Sequence, residues 1–191
     1  MIVGIDVEAA ALGNAGISRY VTCLVHEFLC NPQEIKELHL FAPRKVTGFD
    51  HPLVHWHIHG KSPRTWRIAL LLSHLGLARP LAGAPFLDVY HAPDLVFPRQ
   101  EHASWTTVVT VHDLTTITHF RTHGLVHSLS TWLFMKILSL CGHSIIVPSQ
   151  HVANQVRGRM SKQRQTIHVI PESANVGSEQ AFGGQTGNSS A

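Results

Sequence analysis

The sequence predicts an α/β domain built on a parallel sheet flanked by helices, and three observations lead to that fold class. Short strand-type runs alternate with helical patterns as far as residue 174, the order produced when each helix returns the chain to the same end of a sheet. Two runs, Val108-Val109-Thr110-Val111 and Ile145-Ile146-Val147, are nearly continuous in β-branched residues, as strands buried on both faces are. A loop with two glycines follows the first run and leads directly into the strongest helical pattern.

Taken in order, Ile2–Asp6 reads as the first strand. From Gly16 a helix follows, because Ile17, Tyr20, Val21, Leu24, Val25, Phe28 and Leu29 share one face, and Asn31-Pro32 ends it. Strands are expected at residues 38–42 and 54–58, then a helix at 66–77. Further strands at 88–91 and 107–112 precede a helix over Leu125–Leu140, where Leu125, Leu129, Trp132, Leu133, Ile137 and Leu140 share a face. A strand at Ser144–Val147 leads to Ser149, the expected N-cap of a helix carrying Val152 and Val156, and residues 167–170 form the last strand. Residues 1–174 thus make one domain. In residues 175–191, Gly, Ser, Asn and Gln supply 11 of 17 positions, too little apolar surface to offset ordering entropy, so a disordered tail is expected.

Composition narrows the function classes. With 44% hydrophobic and 14% charged residues in 191, the chain can bury one core without disulfides or metals. A net charge of +3 with a pI near 9.0 is spread along the chain rather than clustered, which argues against a nucleic-acid partner. Cys23, Cys30 and Cys141 are odd in number and form no CxxC pair, which points to a reducing, cytoplasmic setting. The start, Met1-Ile2-Val3-Gly4-Ile5-Asp6, lacks the basic and apolar regions of a secretory signal. The most apolar stretch, residues 68–77, includes Ser73 and His74 and falls well short of the ~20 residues that span a bilayer. Flanked by Arg64, Arg67 and Arg79, it could rest on an anionic membrane surface, but a core helix with charged ends is the preferred reading.

Three motifs can carry chemistry. In Gly13-Asn14-Ala15-Gly16-Ile17-Ser18-Arg19-Tyr20, glycines allow close backbone approach and a helix start offers free N–H groups to an anion such as a diphosphate; packing alone produces the same pattern. At the end of a buried-type strand, His112-Asp113 stands where open parallel sheets bind ligands, although Asp113 could simply cap a turn. His55, His57 and His59 alternate along one strand and could make a three-histidine zinc site, yet a solvated strand face gives the same sequence, and no metal is expected. His26-Glu27-Phe28-Leu29-Cys30 misses HExxH because Cys30 replaces the second histidine.

The ordered series Gly16-Ile17-Ser18-Arg19-Tyr20, Asp88-Val89-Tyr90-His91-Ala92-Pro93, Val109-Thr110-Val111-His112-Asp113-Leu114, Ile145-Ile146-Val147-Pro148-Ser149 and Ile167-His168-Val169-Ile170-Pro171-Glu172 resembles the N-terminal domain of family 4 glycosyltransferases. That resemblance implies a Rossmann-like half of a GT-B fold and, in the complete enzyme, metal-independent retaining transfer of a sugar from a nucleotide-diphosphate donor to a carbohydrate or lipid-linked acceptor, with no further cofactor. It implies donor-diphosphate contacts at Gly13 and Gly16, a sugar contact at His112, and acceptor-side positions at Arg19, Tyr20 and Asp113. The family's donor-binding C-terminal domain, with its basic pair and E-x7-E signature, has no counterpart in these residues, so a separate C-terminal half and inactivity alone are expected. Two other readings stand beside it: a non-catalytic binding module, and a dinucleotide-binding domain. Against the second, GxGxxG is missing and the run at 38–42 ends in Pro43-Arg44 rather than an acid.

Overall fold

The computed structural model describes residues 1–13, 15–84, 86–100, 105–115, 125–160 and 165–172. The tail expected at 175–191 lies outside them. Among the described residues, seven parallel strands form one sheet: β1 (Ile2–Asp6), β2 (Glu37–Ala42), β3 (Val54–Ile58), β4 (Val89–Ala92), β5 (Thr106–Thr110), β6 (Ser144–Val147) and β7 (Ile167–Val169), in the order β3-β2-β1-β4-β5-β6-β7. The fold is Rossmann-like α/β. Successive strands step outward from β1 in one direction through β2 and β3, then in the other from β4 to β7, so the order reverses between β1 and β4.

Strand alternation divides the core between two faces. On one, Val3, Ile5, Leu38 and Leu40 pack with Val21 and Val25 of α2 (Ala15–Cys30). On the other, Phe41, Tyr90, Val109 and Ile145 join Trp66 and Leu70 of α3 (Pro63–His74), Phe134 and Leu138 of α4 (Leu125–Leu140), and Val152 and Val156 of α5 (Gln150–Arg157). Gly4 is where β1 meets that second core: a Cβ there would lie 2.7 Å from Leu87 Cδ1 and 3.2 Å from Phe41 Cε2. A side chain there would displace the Leu87 methyl and press on the Phe41 ring, both buried.

Ser149 caps α5 as expected, its Oγ accepting from the Val152 amide at 3.3 Å. Helix α3 begins three residues earlier than its apolar pattern suggested, because Ser62 accepts from the Thr65 amide and Pro63 suits the first turn. Two features of the helices were not legible in the sequence. The face shared by Leu129, Trp132, Leu133 and Leu140 on α4 points outward, while Phe134, Met135 and Leu138 are buried; a helix apolar on nearly all sides does not disclose its core face by periodicity. In addition, α1 (Glu8–Leu12) occupies what read as loop, too short for an apolar repeat to reveal. Gly13 ends it in the left-handed region at φ 74°, its amide bonded to the Ala9 carbonyl.

Candidate functional site at the carboxyl edge of the sheet

Beyond the ends of β4, β5 and β7, the chain brings together residues from four distant segments. Val111 continues β5 into the core, so His112 emerges on the α2 face, where Tyr20 meets it edge-on with ring centroids 4.9 Å apart. His112 Nε2 donates to the Pro93 carbonyl at 2.8 Å, and Nδ1 lies 2.6 Å from Glu172 Oε1. Since a carbonyl can only accept, Nε2 carries a proton. The ring is thereby fixed in plane, with the exposed Glu172 as the partner a ligand could most easily displace.

Beneath this pair runs a buried chain of hydrogen bonds. Tyr20 Oη is 3.2 Å from Thr110 Oγ1, which is 2.8 Å from His91 Nε2. Burial, reinforced by His112, lowers the His91 pKa to about 4, so its imidazole is neutral at pH 7. Burial raises the Tyr20 phenol above its ordinary range; the bond to Thr110 opposes this and the Glu172 carboxylate adds to it. Tyr20 therefore keeps its proton and can serve as a fixed donor.

Gly16 lies one turn before Tyr20 on the same side of α2, exposed, and a Cβ there would meet no described atom within 4 Å. Gly13 differs, because its amide is already bonded to Ala9 as the cap of α1. Asp113 is exposed and accepts from both Thr115 N and Oγ1, at 2.9 and 2.7 Å, which is the turn-capping role. Arg19 is exposed on the first turns of α2. Sequence reasoning singled out His112, Tyr20 and Gly16 but gave no role to Glu172, Thr110, His91 or Pro93. Their signal was position: each stands in or just after a strand end.

On the opposite face of the sheet, at the reversal between β1 and β4, Asp6 is buried. Its Oδ1 accepts from the Glu8 amide at 2.8 Å and its Oδ2 from Trp66 Nε1 at 3.1 Å. Burial raises its pKa to about 6, and burial together with the Asp6 charge raises Glu8 to about 7. Asp94 adds to both shifts, while Arg67 opposes that of Glu8. His59, just past the end of β3, stacks on Trp66 with ring centroids 4.0 Å apart rather than on His55 or His57. Those two instead meet His39 of β2: His39 Nδ1 is 2.9 Å from His57 Nε2, and its ring stacks on His55. An open recess of about 620 Å³ runs along this edge of the sheet, lined by His39, Lys45, His55, Trp56 and His57 among others, and is distinct from the carboxyl-edge constellation.

Fold and edge together define a Rossmann-like α/β domain with a polar, tyrosine-backed histidine at the carboxyl edge. No protein-family model matches the chain, and no curated protein is significantly similar to it. No described helix is long and apolar enough to cross a membrane.

Proposed function

We propose that residues 1–174 form the acceptor-side, N-terminal half of a retaining GT-B glycosyltransferase of the family 4 type. The observation that carries this reading is the convergence of three motifs far apart in sequence: Tyr20, His112 and Glu172 form one contact set beside the first turns of α2. In the complete enzyme the donor diphosphate would approach the start of α2 at Gly16, where first-turn amides and the helix dipole favour developing negative charge. His112 would orient the transferred sugar, with Tyr20 holding its ring in place, and Arg19 and Asp113 would border the acceptor, a sugar or lipid-linked hydroxyl. Metal is not part of this chemistry, because the charge on the leaving diphosphate would be met by amides and by cations of the C-terminal half. The three free cysteines support a cytoplasmic setting, with the membrane surface as the place where a lipid-linked acceptor is met.

The binding energy available to this half is small. A helix N-terminus contributes about 0.3–1 kcal/mol toward an exposed anion, whereas even a millimolar dissociation constant requires about 4.1 kcal/mol. The 191 residues alone should therefore bind nucleotide sugars no better than the millimolar range and show no transfer. Amide spectra recorded with millimolar nucleotide sugars should shift at Gly16, Tyr20 and His112. Shifts produced equally by NAD(H), or none at these residues, would refute the assignment; low-micromolar affinity in calorimetry, or label transfer by this chain alone, would refute its being half an enzyme.

A further inference from the structure

The geometry points to a divalent transition-metal site, of the kind zinc fills, formed by Glu37, His39 and His55 at the β2–β3 edge, on the face opposite Tyr20 and His112. Register brings it about. His39 pairs with His55 in the ladder, and Glu37 lies two residues before His39, so all three side chains project from one face. Their ligand atoms lie within 4.8 Å of one another. With bonds of about 2.0–2.2 Å, the ligands of a tetrahedral ion stand about 3.4 Å apart. Rotation of the two more accessible side chains, Glu37 and His55, closes that gap, while His39 is buried and held in place.

Two features separate this cluster from a solvated strand face. His39 Nε2 is aimed at Glu37 Oε2, 3.0 Å away, so the buried ring presents a nitrogen where the carboxylate would share an ion. Its other nitrogen meets His57 Nε2 at 2.9 Å, the outer hydrogen bond that metal-bound imidazoles use to fix their tautomer. When an ion replaces the proton on His39 Nε2, that proton moves to Nδ1, which then donates to His57; His57 in turn carries its own proton on Nδ1. No proton is gained or lost. Two imidazoles and a carboxylate suit Zn²⁺ and leave a fourth position facing the recess that Lys45 lines, where water or an anion fits. Because the ligands come from two strands and β3 is the sheet's edge, the ion would tie that strand down.

The test is titration of the chelator-treated full chain with Zn²⁺ alone, followed by calorimetry and by thermal unfolding. One equivalent should bind with a dissociation constant on the order of micromolar or tighter and raise Tm. Replacing the accessible ligands, His55→Ala or Glu37→Gln, should weaken that equivalent about tenfold or more and abolish the rise in Tm, while His151→Ala on α5 changes neither. Co²⁺ should give the visible bands of a low-coordinate site, lost in His55→Ala. A chain without a one-equivalent site, or one whose affinity survives both His55→Ala and Glu37→Gln, would overturn the assignment. Neither result depends on glycosyl transfer.

Discussion

Asp6 ends β1 with its carboxyl buried against Trp66, and its pKa of about 6 in the fold exceeds the ordinary 3.8. A carboxyl that holds its proton more tightly when folded favours the folded state below the unfolded pKa, and that contribution is lost as pH rises from about 4 through about 6. The shift corresponds to at most about 3 kcal/mol. Urea midpoints of wild type and Asp6→Asn should therefore converge or cross as pH rises through this window; a difference independent of pH would show that Asp6 titrates normally. His91 behaves in the opposite sense. Its pKa of about 4 lies below the usual 6.5, so its contribution is present above pH 6.5 and is lost as pH falls toward 4. In proton NMR its ring signals should stay constant between pH 7 and 5, and movement there would contradict the buried Thr110 contact.

At the scale of elements, the glycines of the first crossover separate by role. Gly13 holds a left-handed φ of 74° that alanine adopts at a cost of roughly 1–2 kcal/mol, so Gly13→Ala should destabilise by about that amount. Gly16 has open space at its Cβ position and an ordinary backbone, so Gly16→Ala should leave stability within ~0.5 kcal/mol while reducing any shifts caused by nucleotide sugars. Gly4 belongs to β1 and to packing. Gly4→Ala should cost ~1–3 kcal/mol through overpacking against Leu87, Phe41 and Tyr90, measurable as a lower urea midpoint. A Gly16→Ala chain as unstable as Gly4→Ala would make Gly16 a packing residue. The helices carry a similar lesson: on α4 the exposed Leu129, Trp132, Leu133 and Leu140 form an apolar stripe above a core held by Phe134 and Leu138.

Across the whole molecule, imidazoles and carboxylates pull stability in opposite directions with pH. Burial lowers the pKa of His59, His91 and His143 to about 4 and also depresses His39, His57 and His74, whereas Asp6 and Glu8 are raised. Between pH 6.5 and 4 the unfolded chain gains more protons on its histidines than the folded chain holds on its two carboxyls. Stability should therefore fall with acid, and a urea midpoint that rises from pH 7 to pH 5 would be inconsistent with so many buried neutral rings.

The seven strands and the order of the longer helices were legible in residues such as Val108 to Val111 and Ile145 to Val147, because local propensity and period are properties of a short stretch of chain. So was the placing of His112 and Tyr20 near one sheet end, since parallel topology sends every strand's carboxyl end to the same edge. Tertiary structure alone decided which neighbours those residues acquired. Glu172 and Pro93 reach His112, and Thr110 links Tyr20 to His91, through contacts spanning 19 to 90 residues. It also decided the outward face of α4, the turn of His59 onto Trp66, and the meeting of His39 with His55. Each of these depends on strand register and on which surface a neighbouring element covers, and no local pattern encodes that.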